Sequence, residues 1–129
     1  MSNLEYPQSE GVAPGNGYSH VVTSAGQWVA IAGQVALDAD GKLVGEGDFE
    51  AQTRQVFANL DAALKAAGAT WADVVKLGCF LTDMAGLPAL RTVRDEYIDT
   101  TKPPASTAVQ VVGLFRPEAL IEVEAYAVI

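Results

Sequence analysis

The segment Ile121-Glu122-Val123-Glu124-Ala125-Tyr126-Ala127-Val128 sets the strongest constraint on this chain. Side chains alternate sides along a strand, so a period of two sends Ile121, Val123 and Ala125 to one face and Glu122 and Glu124 to the other. Such a strand has one dry side and one side that must meet water, a partner or a site. An acidic pair along a sheet face needs a reason of that kind. Just upstream, Pro103 and Pro104 stop whatever precedes them and open a second β-rich segment, 105–111. The two segments are expected to face each other across a short connection holding Gly113 and Pro117.

The remaining chain alternates strand and helix signals. Residues 1–17 are rich in Gly, Pro, Ser and Asn and read as an arm. Residues 18–23 read as a first strand, and Ala25-Gly26-Gln27 as a turn. Residues 28–35 read as a second strand, apolar enough for burial on both faces. Asp48 is a credible N-cap for a long helix. Phe49, Thr53, Val56, Phe57, Leu60 and Leu64 recur at three- and four-residue spacing, with Gly68 as its stop. Residues 72–82 lead into a central strand. A second helix follows Gly86, with Pro88 in its first turn and a stripe of Leu87, Leu90, Val93, Tyr97 and Ile98.

The expected order is ββαβαββ in one domain, 1–129. Two helices on one face of a mixed sheet of five or six strands is the simplest α+β solution. The uncovered face, carrying Val109, Val111, Val123 and Ala125 or their alternates, stays apolar enough to predict self-association.

Charge and composition exclude several classes. The net charge of −8 argues against nucleic acid or an anionic membrane as partner. The N-terminus shows neither a basic region nor an apolar run, so no signal peptide is expected. No stretch approaches the roughly 20 apolar residues of a membrane span. The single Cys79 reads as a buried structural thiol and suits a reducing, cytoplasmic setting. His20 is the sole histidine, so a His-based triad or multi-His metal site is hard to build.

Several motifs fall in a familiar order. They are Gly17-Tyr18-Ser19, Ala32-Gly33-Gln34, the helix 52–60, Leu64-Lys65-Ala66-Ala67-Gly68, Val74-Val75-Lys76, Phe80-Leu81-Thr82-Asp83 and the closing strand. Together they resemble the Rid family, the YjgF-type reactive-imine deaminases once labelled endoribonucleases, along essentially the whole chain. The resemblance implies a chorismate-mutase-like fold assembled as a homotrimer, with small-molecule clefts between subunits. It implies hydrolysis of enamines or imines to keto acids and ammonia, with no metal or organic cofactor.

Carried over residue by residue, the resemblance implies catalytic roles for Glu122, which would handle the water, and Tyr18, which would close the pocket. It implies ligand contacts at Gly33 and at Ala32, where many members have Ser. Ala108 stands where active members often have Cys. The family's carboxylate-clamping arginine lies in a Pro-Ala-Arg-Ser/Thr motif, and this chain reads Pro104-Ala105-Ser106-Thr107. Ser106 and Thr107 would therefore line the cleft without a guanidinium. A serine gives one neutral hydrogen bond where arginine gives a charged, bidentate grip, a loss of about 2–5 kcal/mol. Arg91, standing where the family usually has Asn, or Arg94, three residues on, could supply the missing cation. Their alternative is pairing with Asp95 and Glu96, just as Glu122 could instead pair with Arg116.

Two functions follow as expectations. One is an imine or enamine hydrolase of shifted specificity; the other is a trimer that binds a small polar metabolite, or acts as a chaperone, without deaminating. A ribonuclease fits the acidic charge least well.

Overall fold

The computed structural model describes residues 3–129, so the first two residues of the expected arm lie outside the described residues. Four strands and two α-helices are the main elements of the described residues: β1 (Trp28–Gln34), α1 (Phe49–Ala66), β2 (Val74–Leu81), α2 (Leu87–Arg94), β3 (Ala105–Gln110) and β4 (Ile121–Val128), with short 3-10 turns at Trp71–Asp73 and Met84–Gly86. The sheet runs β1-β4-β2-β3. β4 is antiparallel to both neighbours, and β2 and β3 are parallel. The α+β class and the helices on one face are as expected.

Three expectations change. Residues 18–23 form no strand; Thr23 makes one antiparallel bridge, with Glu5. The sheet therefore has four strands rather than five or six. β3 and β4 do not pair, because β2 lies between them. β1 is not buried on both faces: Trp28 is 61% exposed, while Ile31 is buried.

The helices cover the face that the alternation predicts. Ile121, Val123, Ala125 and Ala127 are buried with Leu77, Cys79 and Leu81 against Val56, Phe57, Leu60 and Leu64 of α1 and Leu90 and Val93 of α2. Burying such side chains is the main stabilising term, about 1.5–3 kcal/mol for each large one. Val123 and Ala125 thus belong to the core. The uncovered face carries their alternates, with Ala30, Phe80, Val109 and Tyr126 beside Glu122 and Glu124.

Local signals explain the helix limits. Asp48 accepts from Ala51 N–H at 3.0 Å and caps α1. Gln52 is wholly buried in α1: its Nε2 donates to the carbonyls of Gly45 and Glu118, and its Oε1 accepts from Leu120 N–H. That single side chain pins the segment leading into β4 onto the helix layer.

Candidate active site

The open face of the sheet holds the first group of side chains. Glu122 lies opposite Phe80 and Glu124 opposite Gly78. The pairing of β1 with β4 shifts between Ile31 and Gln34, inserting one extra residue at Ala32-Gly33. Bulges of this kind re-aim a strand's backbone, and here Gly33 presses onto Glu122. A Cβ at Gly33 would collide with Glu122 Oε2, and one at Gly78 would come within 2.8 Å of Glu124 Oε2. The two glycines make room for the two carboxylates. Among the described residues neither carboxylate has a hydrogen bond or ion pair. On the same face Lys76 Nζ donates to Thr107 Oγ1 at 2.7 Å, and Trp28 stacks on Tyr126 with centroids 5.4 Å apart.

A second group gathers where β3 begins. Ser19 N–H donates to the Pro104 carbonyl at 3.1 Å and Ser19 Oγ to the Pro103 carbonyl, tying the Gly17-Tyr18 loop to β3. The Tyr18 ring stands edge-on to His20, 5.2 Å away. Ser106 is in register with Leu77, so it faces the helix layer, not the open face. It hydrogen-bonds the Cys79 thiol. Burial pushes that thiol up to about 11; the Ser106 bond and the charges of Arg94 and Lys76 pull it back, and Glu124 adds to the rise. Cys79 is thus a protonated core thiol, as its sequence setting suggests.

The structure sorts the expected site residues into these two groups. Glu122, Gly33 and the exposed Ala32 come together, with Thr107 on the same face of the sheet. Tyr18 and Ser106 belong to the other group. Arg91 is half-buried and, among the described residues, has no acidic partner. Glu96 pairs with Arg54 at 2.9 Å, and Arg116 stands over the Phe115 ring, 4.7 Å from its centroid, not against Glu122. Arg94 is 8% exposed and bonded to Asp95. Its burial follows from its place on α2, where position 94 lies one turn from the buried Leu90 on the same side of the helix. Among the described residues no cluster of His, Cys, Asp and Glu could hold a metal ion, and no helix is long and apolar enough to cross a membrane.

A four-stranded mixed sheet backed by two helices on one face is a chorismate-mutase-like α+β fold. The family described as Endoribonuclease L-PSP matches residues 9–129. The chain belongs to that family, the Rid or YjgF-type proteins. It is similar to the conserved Rid-family protein YyfB of Yersinia pestis, whose function is unknown. The two share 39% identity over 98% of this chain and 99% of that one, with a TM-score of 0.87. The RidA structure from an Antarctic Psychrobacter is 32% identical over 97% of this chain and 99% of that one, with a TM-score of 0.74. The 3-aminoacrylate deaminase RutC of Acinetobacter baylyi is 39% identical over 105 residues, 81% of this chain and 82% of its own length.

Proposed function

We propose that the protein is a cytoplasmic homotrimer that hydrolyses a small enamine or imine to a carbonyl compound and ammonia, in clefts between copies. The observation that carries this reading is Glu122, a carboxylate seated against Gly33 on the open sheet face and unpaired among the described residues. The relative named as a 3-aminoacrylate deaminase supports the reaction class. In this reading Glu122 takes a proton from water as the oxygen adds to the C=N carbon. The proton returns to nitrogen, the carbinolamine collapses to C=O, and ammonia leaves. Tyr18 covers the bound molecule, while Ala32, Gly33 and Thr107 line its surroundings. Ser106, where the family carries arginine, points to a specificity different from that of the arginine-bearing members.

The experiment is ammonia release from enamines generated in place from serine-derived and β-amino precursors. Native protein should accelerate release over the buffer rate, and Glu122→Gln should abolish the gain. Equal rates with and without Glu122 would end the proposal. The second reading, a binder without turnover, draws on Ser106, whose hydroxyl is engaged with a core thiol. A metabolite that raises the melting temperature while turnover stays absent would favour it.

A further inference from the structure

A cleft of about 550 Å³ opens between the amino-terminal arm and the turn Trp71–Asp73. That volume is within the range of small-molecule sites. One wall is Trp71 and Tyr97, with ring centroids 5.2 Å apart. Both rings pack on the buried Phe57 of α1, at 5.7 and 5.6 Å. The cleft is therefore on the helix side of the molecule, whereas Glu122 is on the open face of the sheet. The opposite wall comes from the arm. Glu5 and Thr23 exchange both backbone hydrogen bonds, at 2.8 and 2.9 Å. Alternation along extended chain then sends Leu4 and Tyr6 to one side, and both line the cleft. Among the described residues Tyr6 has no ring contact, so open space separates it from the Trp71–Tyr97 pair.

Two opposite charges stand at the rim. Asp99 and Lys102 are exposed, while Ile98 and Pro104, which also line the cleft, are buried. Lys102 N–H donates to the Asp99 carbonyl at 3.0 Å, so one tight loop carries both charges. Asp99 Oδ1 accepts from Thr101 Oγ1 at 2.6 Å and from Thr101 N–H at 2.9 Å. Those bonds hold its carboxyl below the usual carboxylate range. A carboxylate offers about four acceptor positions, so capacity for a ligand remains. Among the described residues neither Asp99 nor Lys102 has an ion-pair partner. Burial, and after it the charge of Asp99, raises the Tyr6 phenol above its ordinary value, which sets that carboxylate beside the aromatic wall.

We propose that this cleft is a second binding site, separate from Glu122, for a free α-amino acid with a large apolar or aromatic side chain. The ammonium meets Asp99, the carboxylate meets Lys102, and the side chain enters between Tyr6 and the Trp71–Tyr97 pair. An α-amino acid carries its two opposite charges on one carbon and its apolar group beyond them. The cleft carries its two opposite charges on one loop and its apolar walls below them. A simple amine would leave Lys102 unmatched, and a simple acid would leave Asp99 unmatched. Aromatic rings favour offset or edge-on partners over flat sandwiches, and walls inclined at 48° to each other offer such faces.

The test is calorimetric titration with L-phenylalanine, and with phenethylamine and 3-phenylpropanoate, which each lack one of its charges. Native protein should bind phenylalanine more tightly than either analogue. Asp99→Asn should weaken phenylalanine and phenethylamine about tenfold and leave 3-phenylpropanoate unmoved. Lys102→Met should weaken phenylalanine and 3-phenylpropanoate about tenfold and leave phenethylamine unmoved. The unmoved analogue shows in each case that the variant is folded. Tyr6→Ala, on the arm, should weaken all three ligands. Glu122→Gln, on the other side of the sheet, should bind phenylalanine as native protein does, whatever its turnover. Absence of phenylalanine binding to native protein, losses that do not follow the missing charge, or binding unchanged in Tyr6→Ala overturns the proposal. Loss of phenylalanine binding in Glu122→Gln would put the ligand on the open face and overturn it equally.

Discussion

Ser106 and Glu122 face opposite sides of one sheet: Ser106 is in register with the buried Leu77, and Glu122 with Phe80 on the open face. No side-chain rotation brings them together, because the β2 and β4 backbones lie between. A cleft that uses both must draw them from different copies. Mixed assemblies test this. Glu122→Gln and Tyr18→Ala should each be inactive alone. After joint unfolding and refolding, random exchange restores both intact halves in about one cleft in four. Ammonia release near a quarter of the native rate is expected. A mixture as inactive as its parents would place both halves within one copy.

Gly33 and Gly78 make a matched pair for a second prediction. Each lies under a glutamate side chain that an added methyl would push aside. The obstructing atoms belong to flexible side chains, so Gly33→Ala and Gly78→Ala should each cost no more than about 1 kcal/mol in urea unfolding. Their effects on turnover should diverge. Gly33→Ala displaces Glu122 and should lower kcat about a hundredfold, the scale of a misplaced general base. Gly78→Ala displaces Glu124 and should leave kcat within about twofold. Equal losses would assign the chemistry to the acidic face as a whole rather than to Glu122.

The parts of the fold written in periodicity were legible from the sequence. The alternation of 121–128 assigned both faces of β4, and the α1 stripe gave its cap and its buried side. Residues 18–23 show why composition is weaker. Their β-branched content suits a strand, but a strand needs a neighbour to bond, and this segment finds Glu5 once and then the carbonyls of Pro103 and Pro104. The order of β3 and β4 was hidden because chain proximity suggests a hairpin, and nothing local says that β2 will lie between them. At the site, Glu122 could be singled out, but its seat against Gly33 depends on a bulge that no sequence period encodes. Arg94 sits at a helix end, where a cation is ordinarily solvated, although its spacing from Leu90 places it on the buried stripe.

Gln52 carries a third prediction. Its amide makes three bonds to backbone groups of two loops, at 2.9 to 3.1 Å, from a fully buried position. Gln52→Leu keeps much of the volume but leaves the Leu120 N–H and two carbonyls without that partner. A buried group left unbonded costs about 1–3 kcal/mol, so the variant should lose about 2–4 kcal/mol in urea unfolding. Because Leu120 precedes β4, hydrogen exchange at the start of that strand should quicken more than exchange in α2. A uniform increase across the chain would show that Gln52 supports the core generally rather than the entry to β4.

Cys79 gives a prediction in pH. Its thiol is pushed up to about 11, chiefly by burial, from an ordinary value of 9.0. The folded value is the higher one, so the native state holds this proton more tightly than the unfolded chain. The corresponding stability is fully present below about pH 9 and is lost as pH rises towards 11. A tenfold difference in proton affinity is worth about 1.4 kcal/mol, so native protein should lose up to about 3 kcal/mol more than Cys79→Ala across that window. At pH 8 the alanine variant should be the less stable, by about 1 kcal/mol of lost packing. The two urea midpoints should converge and cross as pH approaches 11. Alkylation by iodoacetamide at pH 8 should be slow in the folded protein and fast in urea, since the thiolate is the reacting form. A constant gap between the two midpoints from pH 8 to 11 would mean that the thiol ionises as freely in the fold as in water.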